Sequence, residues 1–352
     1  MTMTDPENEP LDDGRDHLCV DAFVGSVVGA QALETAFQLR LIDYLGDRGS
    51  AGLAELAGVL ELDAGGLRLL LDLLMAHQVV EESGGAIRLT KGFARALRYR
   101  DLLEARLEFA RIALPDFVLL LPTLVRKPGE FQRRARIFGL FDYAKCIERT
   151  PENAARTLQW VRMTTALTRY EAPVCMRYHD FGRYRRMLDI GGNSGEFALQ
   201  VCRRHPDIQA VVFDLPVVCD VGRRHVGSEP EAARICFIEG NALTDVLPEG
   251  CDLITFKSML HDWPEREARQ LILRASQSLE AGGTLLIFER GPLDLREGPL
   301  PYSVLPFLLF SHAFRPPRIY VEQLQGLGFR DVAVQRIDLG TLFFLVTGIR
   351  VP

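Results

Sequence analysis

A chain of 352 residues with 47% hydrophobic content can bury a large core, and its length suits two domains or one large domain with an appendage. The formal net charge of -6 is concentrated in residues 1–16, where Asp5, Glu7, Glu9, Asp12, Asp13 and Asp16 face only Arg15. That stretch reads as a disordered acidic leader, and the rest lacks the basic stripe of a nucleic-acid binder. The seven cysteines include no Cys-x-x-Cys pair and read as reduced core residues of a cytoplasmic protein. No secretory leader is read at the start and no apolar run is long enough for a bilayer, so no membrane partner is expected.

From Asp21 to Leu45 apolar residues recur at helical spacing, predicting one long helix or two abutting ones. A short helix around Leu53–Ala57, a leucine-rich helix over Asp63–His77 and two strands flanking Gly84-Gly85 complete a winged-helix plan across residues 17–101. The candidate recognition helix carries only Arg68 as a cation. Its leucine face is read as a protein contact rather than a DNA-binding surface. Residues 102–180 read as a helical bridge over the active site, including helices at Pro115–Val125 and Pro151–Tyr170. From 181 to 352 strands and helices alternate, with strands at 187–190, 210–213, 235–238, 253–256 and 284–288 and a C-terminal pair near 332–336 and 342–347. The expected fold is α/β, a Rossmann-like, mainly parallel seven-stranded sheet whose last pair is antiparallel, behind an all-α, winged-helix dimerisation domain.

The first of those strands runs into Gly191-Gly192-Asn193-Ser194-Gly195, and the next ends in Asp214. An acidic residue about 20 positions past a strand, glycine turn and helix grips ribose hydroxyls in doubly wound folds, so the ligand is read as a nucleoside. A dinucleotide fold needs further glycines where this chain has Asn193 and Glu196, and a carboxylate at the helix start would repel pyrophosphate. NAD is therefore disfavoured. Asn193 tolerates a left-handed backbone, so the turn survives.

Further on stands Leu260-His261-Asp262-Trp263-Pro264-Glu265. Asp262 is read as a helix N-cap with Glu265 completing a capping box, which holds His261 at the positive end of a helix and favours its neutral, basic form. The site thus falls at the carboxyl end of the sheet, where open α/β folds bind ligands.

The spacing Asp189-x-Gly191-x-x-x-Gly195 resembles motif I of class I S-adenosylmethionine-dependent methyltransferases. With Leu-His-Asp-Trp and a winged helix upstream, the chain from about Asp21 onward resembles the small-molecule O-methyltransferases of the plant caffeate, hydroxyindole and bacterial polyketide-tailoring type. The resemblance implies S-adenosylmethionine as cofactor, held by Gly191, Gly192, Gly195, Asp214, Asn241 and Lys257, with Trp263 at its rim. It implies His261 as general base oriented by Glu289, a homodimer, and a small, aromatic hydroxylated acceptor near Met163, Asp262 and Phe307. The family's second glutamate is missing: Phe314 stands in its place. That departure keeps C- or N-methylation open, along with a hydroxylase or cyclase on the same scaffold. A metal role for His261, Asp262 and His312 is a further alternative, and no metal is assigned.

Overall fold

The computed structural model describes residues 14–296 and 300–351. The acidic leader, apart from residues 14–16, lies outside the described residues. The chain divides into two compact units, one built on Asp16–Phe131 with Leu295–Leu309, the other on Gln132–Asp294 and the residues from Phe310 onward. The helices of residues 102–180 are shared between them, Arg100–Arg126 in the first and Pro151–Tyr178 in the second.

In the first unit the long helical pattern resolves into Val27–Gln38 and Leu41–Arg48, parted by Arg40 in a left-handed conformation. Ser26 caps the former by accepting the Gly29 amide at 3.1 Å. Asp63 caps Ala64–Ala76 in the same way. Strands Val80–Ser83 and Ala86–Leu89 pair antiparallel around Gly84 and Gly85, both at positive φ, and a two-residue strand, Ala51–Gly52, joins them. Arg68 is engaged by Glu82 through its two terminal guanidinium nitrogens, at 2.8 and 3.2 Å. The helix Arg100–Arg126 is far longer than its Pro115–Val125 segment and carries Pro115 and Pro122 within it.

The second unit is organised on a seven-stranded sheet, β1 (Arg186–Ile190), β2 (Gln209–Asp214), β3 (Ile235–Glu239), β4 (Cys251–Lys257), β5 (Leu279–Arg290), β6 (Arg330–Asp338) and β7 (Leu342–Ile349). Its order is β3-β2-β1-β4-β5-β7-β6; β1 to β5 run parallel, and β7 is antiparallel to both neighbours. Alternation along each strand supplies two cores. Leu188, Ile190, Phe213, Ile254, Phe256, Leu285 and Ile287 pack on one face with the helices Glu265–Ser278 and Arg318–Gly326. On the other, Met187, Val212, Leu253, Leu286 and Phe288 meet Glu196–Arg204 and the end of Pro151–Tyr178. The strand order reverses between β1 and β4, so a crevice opens beyond their carboxyl ends. Among the described residues no single helix is long and apolar enough to cross a membrane.

Candidate active site

β1 ends because Gly191 turns to φ +67°, and Asn193 and Gly195 follow at +58° and +74° before the helix Glu196–Arg204. A Cβ on Gly191 would lie 2.5 Å from Met259 Cγ, so the loop after β4 packs directly against the glycine turn. Gly195 is similarly crowded by Phe237. Asp214 spans the gap between strands: one oxygen accepts the Asn193 amide at 2.8 Å and the other its neighbour Leu215's at 2.7 Å. Glu196 is turned aside, its carboxylate 2.6 Å from His225 Nε2 and 2.8 Å from Gln200.

After β4 the backbone makes a single 3-10 turn over Leu260–Asp262. The capping box expected there does not form. Pro264 is the N-cap of Glu265–Ser278, with no side-chain bond, and Asp262 instead accepts the Tyr143 hydroxyl at 2.7 Å. Glu289, fully buried near the end of β5, accepts from His261 Nδ1 at 2.6 Å and from the Arg290 amide at 2.9 Å. A carboxylate can only accept there, which puts the ring proton on Nδ1 and leaves Nε2 outward, 3.4 Å from Asp262 Oδ1. Burial pushes the imidazole pKa down, but the charges of Glu289 and Asp262 outweigh it, so the pKa ends above its ordinary value. This reverses the expectation of a helix end favouring neutral histidine: adjacent carboxylates dominate, and the helix starts too late to act.

Lys257 lies inside, its ammonium 2.5 Å from Glu171 and 2.8 Å from Thr168 on the helix Pro151–Tyr178, while Arg290 takes the other Glu171 oxygen at 2.5 Å. Asn241 folds on itself, its amide oxygen accepting the Leu243 amide at 3.0 Å. Met163 is buried on Pro151–Tyr178. Phe307 belongs to the other unit, edge-on to Phe109. Trp263 stacks on Tyr143, and His312 meets the edge of Phe138. Among the described residues no three His, Cys, Asp or Glu side chains are grouped to hold a metal ion.

Sequence reading missed Tyr143, Glu171, Arg290 and the threonines of Pro151–Tyr178. The available signal was a polar stripe, Thr164, Thr165, Thr168 and Glu171, at helical spacing on a helix expected to be covered.

The donor set fits a cationic nucleoside. Asp189 is buried with Oδ2 unpartnered while its other oxygen takes the Thr255 hydroxyl at 2.7 Å. Burial raises the pKa of Asp189 to about 7 and of Asp214 to about 6; the charge of Asp214 adds to the rise at Asp189, and that of Asp262 to the rise at Asp214. Asp262 is raised too, chiefly by its enclosure in the crevice. A crevice with three carboxylates so crowded favours a positive ligand and disfavours pyrophosphate.

Comparison with known proteins agrees. The sequence model of the O-methyltransferase domain matches residues 129–305 and that of the O-methyltransferase dimerisation domain residues 22–96. Bovine acetylserotonin O-methyltransferase is 32% identical over 186 residues, 51% of this chain and 52% of that protein, so the chain spans about half the length of that relative. An N,N-dimethyltransferase of Streptomyces rimosus is 29% identical over 88% of this chain and 89% of its own. The structure of human N-acetylserotonin methyltransferase in complex with S-adenosylmethionine shares the fold, with a TM-score of 0.72 at 23% identity over 92% of this chain and 94% of that one. The chain belongs to the S-adenosylmethionine-dependent O-methyltransferase family.

Proposed function

We propose that the protein transfers a methyl group from S-adenosylmethionine to a hydroxyl of a small aromatic acceptor, with His261 as general base. The observation that carries this reading is the 2.6 Å contact between His261 Nδ1 and the buried Glu289, which commits one ring nitrogen and leaves Nε2 to receive a proton. Asp214 takes the ribose hydroxyls, the turn Gly191–Gly195 approaches the amino-acid portion, and Asn241, with its amide oxygen's second lone pair, meets the adenine amino group. Lys257 acts from beneath, through Glu171, rather than at the rim. The bound cofactor supplies an already activated sulfonium methyl. With the methyl supplied to the acceptor oxygen, the acceptor's proton would pass to His261 Nε2, where Glu289 and Asp262 balance the resulting charge. The match to a dimerisation domain, with Leu69 exposed on the leucine-rich helix, supports a homodimer.

Methylation of an amine is a second reading. It is favoured by Phe314 in place of a carboxylate and by the Streptomyces N,N-dimethyltransferase, which aligns over most of the chain. One experiment tests both. Titration calorimetry with S-adenosylhomocysteine is followed by turnover against panels of phenols and aromatic amines, for wild type and His261→Ala. Binding retained with turnover lost on phenols supports the base; equal turnover of both proteins on phenols removes it, and turnover on amines alone selects the second reading.

A further inference from the structure

Asn193 stands where the motif ordinarily has glycine, and both polar atoms of its side chain are engaged. Its Nδ2 donates to Thr164 Oγ1 at 3.0 Å, and its Oδ1 accepts the Ser194 amide at 2.7 Å. The orientation is fixed by donor bookkeeping: the Thr164 hydroxyl proton is directed back to the Trp160 and Val161 carbonyls, both at 3.1 Å, which leaves the threonine oxygen as an acceptor. A second rung follows, with the Thr165 hydroxyl donating to Ser194 Oγ at 2.7 Å. The backbone amide of the same Asn193 binds Asp214 at 2.8 Å.

One residue therefore touches the carboxylate at the end of β2 and the helix Pro151–Tyr178 that carries Met163. A glycine would keep the first contact and lose the second. We infer that Asn193 is a positioning residue that couples cofactor binding at Asp214 to the helix Pro151–Tyr178, so that a nucleoside in the crevice orders the helix facing the acceptor. The inference rests on the proposed cofactor site. Both contacts change together because the peptide that meets Asp214 also bears the side chain that meets Thr164, and a shift of either moves the other.

Hydrogen–deuterium exchange, with and without S-adenosylhomocysteine, tests it without an acceptor. In wild type the ligand should slow exchange both at residues 190–196 and at 160–170. In Thr164→Val the affinity should stay within about tenfold, since one neutral hydrogen bond is at stake. Protection at 190–196 should persist in that variant, and the ligand-induced slowing at 160–170 should fall by about half or more. Asn193→Gly, which accepts the positive φ without strain, should lose the helix response in the same way. A purely structural contact would change exchange at 160–170 equally with and without ligand, and that result overturns the coupling. So does full ligand protection of the helix in both variants. Absence of any binding to wild type would instead defeat the cofactor assignment itself.

Discussion

The ring of Phe314 stands edge-on to the imidazole of His261, centroids 5.4 Å apart and planes at 72°. An apolar edge therefore meets the catalytic candidate where the family pattern supplies a carboxylate, and the balancing charge falls to Glu289 and Asp262.

Because those two carboxylates raise the His261 pKa, a base mechanism requires turnover to climb with pH along an acidic limb whose midpoint lies above the ordinary histidine value of about 6.5. Glu289→Gln removes the nearer charge. Its limb should move to lower pH while the plateau drops by about a hundredfold or more. A pH–rate profile on any acceptor that turns over checks both, and an unmoved limb would refute the assignment of that limb to His261.

The glycine turn has no room for growth. Gly191→Ala adds a methyl 2.5 Å from Met259 Cγ at a φ of +67°, a strain of about 1–3 kcal/mol before the clash is counted. S-adenosylhomocysteine affinity should fall by about tenfold or more, as read by calorimetry.

Glu171 joins two buried cations, with side-chain exposures of 8% for Glu171, 9% for Lys257 and 10% for Arg290. Glu171→Gln leaves both cations facing a neutral amide. Urea denaturation should record a loss of about 3 kcal/mol, the scale for breaking a buried pair.

Asp189 titrates near 7 because burial penalises its charge. Its folded pKa lies above the unfolded one, so its stabilising contribution is complete below about pH 4 and fades as pH rises through about 7. Asp189→Asn does not titrate. The melting temperature of the variant relative to wild type should therefore rise between pH 5 and pH 8, and a constant difference would contradict the buried, raised carboxylate.

The sheet was legible because strand β1 to strand β5 alternate with amphipathic helices, and each apolar run of four or five residues admits one assignment. That Asp214 belongs beside the glycine turn, where it meets the Asn193 amide, and Glu289 beside His261 was legible through motif order. The N-cap at Asp262 misled, since a carboxylate before a proline serves a cap or a tertiary partner equally well on paper, and Tyr143, over a hundred residues away, claimed it. The helix Pro151–Tyr178 outran its expected end at Tyr170, running through Pro173 to bury Val174 and Cys175 against the sheet. Asn241 lies just past the end of β3, and its closed turn depends on Asp245 as well, which no local pattern announced.

The thioether of Met259 fills the space that glycine at 191 vacates. Anyone transplanting the segment 258–263 from a relative to alter selectivity would carry along whatever side chain stands at 259, and any larger one would press on the glycine turn of the adjacent strand. The two regions behave as a single graft, to be exchanged together or left alone.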